Sequence, residues 1–267
     1  MTTGVFKFWM IALGVLVIAL IGAFYVWLYV LRDTTTQTDV SDAVAEFRQD
    51  TSGAGSQRFE PGIAEHVPPV GVYRYETSGG RTLDLGLIER SNEYDGISTI
   101  TLAPTRCGVR ERWQVLVERW SDSEVCLSPA GARLRQLTQY HELLGQSSRT
   151  HYTCREDPTP FTKRLRVGMS WNTTCSSDEG EVTTRTQVAE IEPVEVDGST
   201  FTALRLESES DLVGDPDGTA EQISWMRRSD GLLLRRTASS DVRVDTAGGG
   251  DFAEDYEIVL VSPRPSR

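Results

Sequence analysis

Four cysteines are the residues of this chain whose chemistry is easiest to assign. They are Cys107, Cys126, Cys154 and Cys175, and no two of them have the Cys-x-x-Cys spacing of a redox motif or a zinc site. An even number of cysteines without that spacing is typical of disulfides formed in an oxidising compartment. We predict two disulfides, and the sequence leaves all three possible pairings open.

The three histidines do not indicate a catalytic or metal site. His66 precedes the β-rich region, and His141 and His151 lie on neighbouring predicted strands without carboxylates at ligand spacing. A nucleophilic serine in a Gly-x-Ser-x-Gly turn is also absent from the sequence. We therefore predict no catalytic residue, no metal ligand and no cofactor, and we keep a hydrolase only as a remote alternative.

Tryptophans are the large apolar anchors of the chain after the N-terminal segment: Trp113, Trp120, Trp171 and Trp225. In a β-rich domain most residues of this type belong to the core, because each buries a large apolar surface. If the sheet is open on one side, we expect Trp113 and Trp171 to line its apolar groove.

The elements that position these residues follow from a hydrophobic period of two, which begins at Val70. Residues 109–120 show it most clearly, with Trp113 and Val115 on one side and arginines on the other. Turn signals such as Ser78-Gly79-Gly80 and Asp197-Gly198 separate short runs at regular spacing. The pattern predicts an all-β antiparallel meander that forms a curved sheet or half-barrel. Such a sheet must curl, close on itself or cover its edges.

Residues 8–31 form an unbroken apolar run without a charged residue. A helix of this length spans ~36 Å, enough to cross a hydrocarbon core of ~30 Å. Aromatic residues stand at both ends, as at a membrane interface. A cleaved signal peptide is the rival interpretation, but its apolar core is only about 7–15 residues long. The sequence therefore predicts one uncleaved transmembrane helix.

The charges around this run predict its orientation. Lys7 precedes it, whereas Arg32 after it is offset by Asp33, so the N-terminus is expected in the cytoplasm. We predict a single-pass protein of the cell membrane whose C-terminal domain is extracytoplasmic. The expected organisation is a cytoplasmic N-terminus at 1–7, a transmembrane helix at 8–31, a flexible stalk at 32–68, a β-rich domain at 69–263 and a tail at 264–267.

The net charge excludes one class of partner. The chain carries a formal charge of −12, whereas a nucleic-acid-binding surface needs a basic footprint that neutralises phosphates. We predict no nucleic-acid partner. The expected partners are the membrane that the anchor spans, together with another envelope protein or a lipid.

Three segments resemble one bacterial family. Gly71-Val72-Tyr73-Arg74-Tyr75, the run from Cys107 to Trp113 and the run from Gly145 to Cys154 resemble uncharacterised membrane-anchored envelope proteins of high-GC Gram-positive bacteria. That resemblance covers most of residues 40–263 and includes all four cysteines. It implies an envelope location and no assigned activity.

The C-terminal half has a second resemblance. Gly168-Met169-Ser170-Trp171, residues 198–205 and residues 225–233 are similar to the closing half of β-rich envelope domains related to the lipoprotein-carrier half-barrel. Those relatives wrap a curved sheet around an apolar groove that takes lipid. The resemblance implies a lipid-binding groove in this chain.

Two functional hypotheses follow. The first is a non-enzymatic, membrane-tethered module that interacts with another envelope component. The alternative is a half-barrel that binds a lipid or another apolar ligand. They differ in whether inward-facing residues such as Trp113, Val115 and Leu204 fill a closed core or border a cavity.

Overall fold

The computed structural model describes residues 20, 22, 35–53, 62–86, 89–143, 146–155, 157–245 and 249–267. Within these residues the chain forms the helix α1 (Val40–Gly53), two short 3-10 helices (Ala64–His66 and Thr162–Arg164) and thirteen β-strands. The strands are β1 (Gly71–Asp84), β2 (Glu89–Glu93), β3 (Gly96–Pro104), β4 (Gly108–Leu116), β5 (Arg119–Ser128), β6 (Gly131–Leu143), β7 (Gln146–Arg155), β8 (Ser170–Ser176), β9 (Gly180–Val196), β10 (Ser199–Gly214), β11 (Asp217–Arg227), β12 (Leu233–Val244) and β13 (Gly250–Leu260).

All thirteen strands belong to one antiparallel sheet, in which every strand from β3 to β13 pairs with its neighbour in the chain. β1 pairs with β3 along one edge and with β13 along the other, so the sheet closes into a barrel of twelve strands. The pairing of β1 with β13 runs from Tyr75–Leu260 to Asp84–Asp251. β2 extends the wall beside the second half of β1.

The expected open sheet or half-barrel is therefore wrong, although the fold is all-β and antiparallel. Closure removes the two edges that an open sheet would expose, each with a row of unpaired N–H and C=O groups. Local sequence patterns predict strands and the turns that join consecutive strands. The pairing that closes this barrel joins β1 to β13. Local sequence patterns do not predict it, because the two strands are far apart in the sequence.

The prediction of a transmembrane helix is also corrected. In the part of the chain that the structure describes, no helix is long and apolar enough to cross a membrane. The predicted span at 8–31 lies outside that part, apart from Leu20 and Gly22, as does the predicted cytoplasmic segment at 1–7. The single-pass anchor, and the cell-membrane location that was built on it, therefore have no support in the described residues. The two disulfides remain, and disulfides are typical of compartments outside the cytoplasm.

Part of the segment expected to be a flexible stalk, residues 32–68, is instead packed on the barrel. Within it α1 buries Ala43 and Phe47, four residues apart and hence on one face of the helix, against Val72 and Ala103. These two partners point outward from β1 and β3. The helix therefore covers an apolar patch on the outer wall.

The interior is divided into a filled half and a half that contains a cavity. At the end where β1 begins, large apolar side chains form a buried core that includes Tyr73, Tyr75, Ile100, Leu234 and Ile258. Toward the opposite end the inward-facing residues of β9 and β10 include four small hydroxyl residues, Thr184, Thr186, Ser208 and Ser210. This second half does not fill with side chains, and the space left is the cavity described below.

Each disulfide joins two cysteines that follow one another in the order of the four, Cys107 with Cys126 and Cys154 with Cys175. The second one crosses a weak junction of the wall. Among the described residues, β7 and β8 share only three paired positions, fewer than any other neighbours in the barrel, and Cys154 and Cys175 are the central pair. The disulfide therefore reinforces the wall where backbone pairing is shortest.

Replacing Cys154 and Cys175 together with serine is expected to lower the free energy of unfolding by about 3 kcal/mol, because the open chain gains loop entropy when unfolded. Hydrogen exchange in the native state should also increase at the amides around both positions. Denaturant unfolding and exchange mass spectrometry measure the two effects.

The matched control is the Cys107→Ser, Cys126→Ser double variant. It should lose a similar amount of stability but leave amide exchange between β7 and β8 as in the wild type. Equal exchange at that junction in both variants would contradict the role assigned to the Cys154–Cys175 disulfide.

Candidate functional site

The barrel encloses a cavity of about 760 Å³ between the apolar core and the opposite end of the sheet. Its rim lies at the turns that join β8 to β9 and β10 to β11, where Glu179, Asp215 and Pro216 contribute to the lining. The wall is made by side chains at alternate positions of the strands, which point to the interior. A space of this size is typical of sites for one small molecule.

One wall of the cavity carries hydroxyl groups. Thr184 and Thr186 on β9 face Ser210 and Ser208 on β10, and the two oxygen–oxygen distances are 2.8 and 2.9 Å. A hydroxyl has one donor and two acceptor sites, so each keeps hydrogen-bonding capacity beyond the bond to its neighbour. This wall can therefore bind polar groups of a ligand.

Two apolar clusters flank the hydroxyl wall. The first lies on β1, β10, β12 and β13 and contributes five residues to the lining: Leu83, Leu212, Val242, Val244 and Phe252. The second lies beside the Cys154–Cys175 disulfide and contributes Leu134, Leu137, Cys175 and Val182. The lining thus combines apolar and hydroxyl surfaces within one enclosed space.

A buried ion pair lies on the side of the cavity opposite the hydroxyl wall. Arg119 donates to both oxygens of Glu254, each at 2.9 Å, and the hydroxyl of Tyr94 donates to Glu254 Oε1 at 2.5 Å. The side chains of Arg119 and Glu254 are each only 7% exposed. Two-point contact with an arginine gives the carboxylate a fixed position and orientation.

The pKa values in this cluster follow from burial and from the pairing. Burial alone would raise the pKa of Glu254, but the charge and hydrogen bonds of Arg119 outweigh it and hold this pKa at about 2. Burial, together with the charge of Arg119, lowers the pKa of the nearby His141 well below its usual value. At neutral pH the site therefore contains an ionised Glu254 and an uncharged His141 whose ring meets Phe252 edge-on at 5.5 Å.

The floor of the cavity, next to the apolar core, consists of Glu111, Trp113, Arg236 and Tyr256. The rings of Trp113 and Tyr256 stack with their centroids 4.6 Å apart. Arg236 lies 3.7 Å from Glu111 and donates to the Ser224 hydroxyl at 3.4 Å. These two distances are long compared with those of Arg119, and Arg236 also donates to the Tyr256 hydroxyl, so it lacks the two short bonds to one carboxylate that fix Arg119.

The structure separates the two tryptophans that were expected to share a groove. Trp113 lines the cavity and is 2% exposed. Trp171 is not among the lining residues and packs against the cluster of Leu165, Val188 and Leu204. Of the four cysteines, Cys175 is part of the lining.

The residue of this site that the sequence did not predict is Glu254. Its strand carries apolar residues at alternate positions, namely Phe252, Tyr256, Ile258 and Leu260, and Glu254 falls in the same inward-facing register. A carboxylate in an apolar register is a signal for a buried partner, since an unpaired buried charge is very unfavourable. The partner, Arg119, is far away in sequence and only the closed barrel brings the two together.

Within the described residues, no group of three or more His, Cys, Asp or Glu side chains is arranged to hold a metal ion. His66 stacks on Phe161, and His151 shares a hydrogen bond of 2.9 Å with the Thr138 hydroxyl. The expectation of no cofactor and no catalytic residue stays a prediction.

Acidification should weaken the fold through Glu254. Its pKa in the folded state is about 2, against 4.5 for the free side chain, so its contribution is present above about pH 4.5. The contribution is lost as the pH falls from there toward 2, and it amounts to something on the order of 3 kcal/mol. Urea unfolding measured between pH 7 and pH 2.5 tests this.

The Arg119→Met, Glu254→Gln double variant removes both buried charges and should lose most of this pH dependence. Asp251→Asn is the matched control, because Asp251 lies on the same strand and faces Arg243 across exposed surface. It should behave like the wild type. An unchanged acid-induced loss of stability in the double variant would show that other carboxylates are responsible.

Comparisons with known proteins show no family to which the chain belongs. No family model matches it, and no curated protein matches its sequence. The resemblance to a family of high-GC Gram-positive bacteria is therefore unsupported. Among solved structures, the chain is similar to the hypothetical lipoprotein YmcC of Escherichia coli, with 14% sequence identity, a TM-score of 0.36, and coverage of 86% of this chain and 100% of that one.

Proposed function

We propose that the protein binds one small amphipathic molecule, of lipid type, inside the closed barrel. The observation that carries this proposal is the cavity of about 760 Å³ whose lining combines apolar and hydroxyl walls. Ligand sites in proteins typically measure about 300–1,000 Å³ and combine apolar surface with a few placed polar groups. The proposal differs from the expected half-barrel groove, because here the ligand is surrounded by a continuous wall.

The chemistry of the lining supports an amphipathic occupant. Removing apolar ligand surface from water against the clusters around Leu83 and Val182 contributes roughly 25 cal/mol per Å². Polar groups of the same ligand can bond to the hydroxyl wall around Thr186 and Ser208. A pure hydrocarbon would leave that wall without partners, and burying polar groups without partners is unfavourable.

The proposed role is binding without chemical conversion. Glu254 is ionised and already accepts three hydrogen bonds, two from Arg119 and one from Tyr94. A carboxylate with a pKa of about 2 is a weak base at neutral pH, since an effective general base has a pKa near the working pH. These features favour a structural role for the buried cluster in keeping the cavity open.

The other hypothesis, an envelope-interaction module acting through its outer surface, stays a prediction. The partner that we propose is a small molecule. The strongly acidic chain supports the expectation of no nucleic-acid partner.

Filling the cavity should abolish binding. Ala238 occupies an inward-facing position of β12 and is part of the lining, so Ala238→Trp places an indole where the ligand would lie. The protein is produced with its disulfides formed, purified without detergent and extracted with organic solvent for mass spectrometry. We expect a stoichiometric apolar molecule from the wild type and none from the variant.

Thr237→Trp is the matched control, because Thr237 is the adjacent residue of β12 and faces outward. It should retain the ligand and the wild-type affinity for a polarity-sensitive fluorescent probe. The proposal fails if the wild-type extract is empty and the probe also binds the wild type and the Ala238→Trp variant equally.

A further inference from the structure

The cavity floor has a feature that indicates how a ligand would be oriented. Arg236 lies directly above the apolar core, since Leu234 on the same face of β12 and Ile258 opposite it on β13 are fully buried. Its side chain is 15% exposed, and its ion-pair partner Glu111 is 31% exposed. A guanidinium is therefore present at the deepest point of the space, where a ligand can reach it.

Arg236 has hydrogen-bonding capacity that its protein partners do not fully use. It is 3.7 Å from Glu111, beyond hydrogen-bond distance, it donates to the Ser224 hydroxyl at 3.4 Å, and it also donates to the Tyr256 hydroxyl. The comparison within the same cavity is Arg119, which makes two bonds of 2.9 Å to Glu254. A guanidinium has five N–H donors, so Arg236 can donate to a ligand without breaking a tight ion pair.

The charge of the lining decides which polar group fits. Five carboxylates and three guanidiniums line the cavity: Glu111, Glu179, Asp215, Glu221, Glu254, Arg119, Arg149 and Arg236. The lining is thus net negative, as is the whole chain at −12. A negatively charged headgroup would be repelled by this field, and most strongly by Glu111 beside the floor.

The donors and acceptors of the floor further restrict which headgroup a ligand can have. Arg236 only donates, the Glu111 carboxylate only accepts, and the Tyr256 hydroxyl, which accepts from Arg236, can still donate. A group that both accepts and donates, such as an alcohol or a primary amide, satisfies all three residues. A carboxylate accepts only, so it adds no donor for Glu111 and places a second negative charge beside it.

We infer that the cavity binds an uncharged, single-chain amphiphile whose hydroxyl or amide end contacts Arg236, Glu111 and Tyr256 at the floor. The apolar chain then runs toward the rim between the cluster around Leu83 and the cluster around Val182. This inference rests on the proposed function and adds the class and orientation of the ligand. Neutral headgroups bind, and ionised headgroups of the same chain length are rejected.

The test compares two probes that differ in the charge of the headgroup. A saturated monoacylglycerol and the fatty acid of the same chain length are titrated at pH 7.5, below their aggregation concentrations, against the full-length protein loaded with a neutral polarity-sensitive fluorescent probe. We expect the monoacylglycerol to displace the probe at a concentration about 10-fold lower or more. Arg236→Met should remove about 10-fold in affinity for it, since a hydrogen bond to a charged group contributes about 1.5–3 kcal/mol.

Arg235→Met is the matched control. Arg235 is the next residue of β12, lies on the outer face and pairs with Glu257 at 2.5 Å, so its loss should change affinity by less than about 2-fold. Arg236→Met alone leaves the Glu111 carboxylate without its ion-pair partner, which could impair folding. The Arg236→Met, Glu111→Gln double variant removes both charges of the floor and so avoids that problem. It should show the same loss as Arg236→Met, with neutral-probe affinity retained.

The outcomes separate the two claims. If the fluorescent probe binds and Ala238→Trp abolishes its binding, the proposed function holds. The orientation inference is then overturned by a fatty acid that binds as tightly as the monoacylglycerol, or by wild-type affinity for the monoacylglycerol in both Arg236 variants. If the probe does not bind the wild type at all, the proposed function itself fails.

Discussion

The pairing of β1 with β13 is the constraint on which the rest of the structure depends. Ten consecutive residue pairs, from Tyr75–Leu260 to Asp84–Asp251, turn a meander into a closed wall. Closure brings Glu254 on the last strand within reach of Arg119 on the fifth. In an open sheet the same two side chains would face water, where an ion pair contributes only about 0–1 kcal/mol. The enclosed space and its buried charges are both consequences of the closed wall.

The order of side chains along a single strand shows how the interior is divided. The inward-facing residues of β12 are Leu234, Arg236, Ala238, Ser240 and Val242. Leu234 belongs to the filled core, Arg236 begins the cavity, and the small residues after it leave the space empty. Apolar surface returns at Val242, near the rim. The position of the cavity is thus set by side-chain size along the strand, and its polarity by the residues that stand where the core stops.

Much of the fold could be predicted from local patterns. The period of two placed the strands, and Asp197-Gly198 turns where expected, with both residues at positive φ. Ser78-Gly79-Gly80 resembled a turn but lies inside β1. A Cβ at Gly79 would lie 2.2 Å from the carbonyl oxygen of Asp255, so glycine is needed there for the close approach of β13. Glycine in a strand and glycine in a turn look the same when the partner strand is unknown.

Joining the first and last strands also makes the order of strands in the wall cyclic. Val72 and Ser266 pair across the start of β1 and the C-terminal segment, so the two ends of the barrel sequence are adjacent. A circularly permuted chain, joined there and opened at the Asp197-Gly198 turn, would keep every strand pair of the barrel. The contacts between β1 and β13 would then join residues close in sequence, and those between β9 and β10 would join residues far apart in sequence. Because folding rate depends on the sequence separation of contacting residues, such a permutation would change the order in which the wall assembles while leaving the final barrel intact.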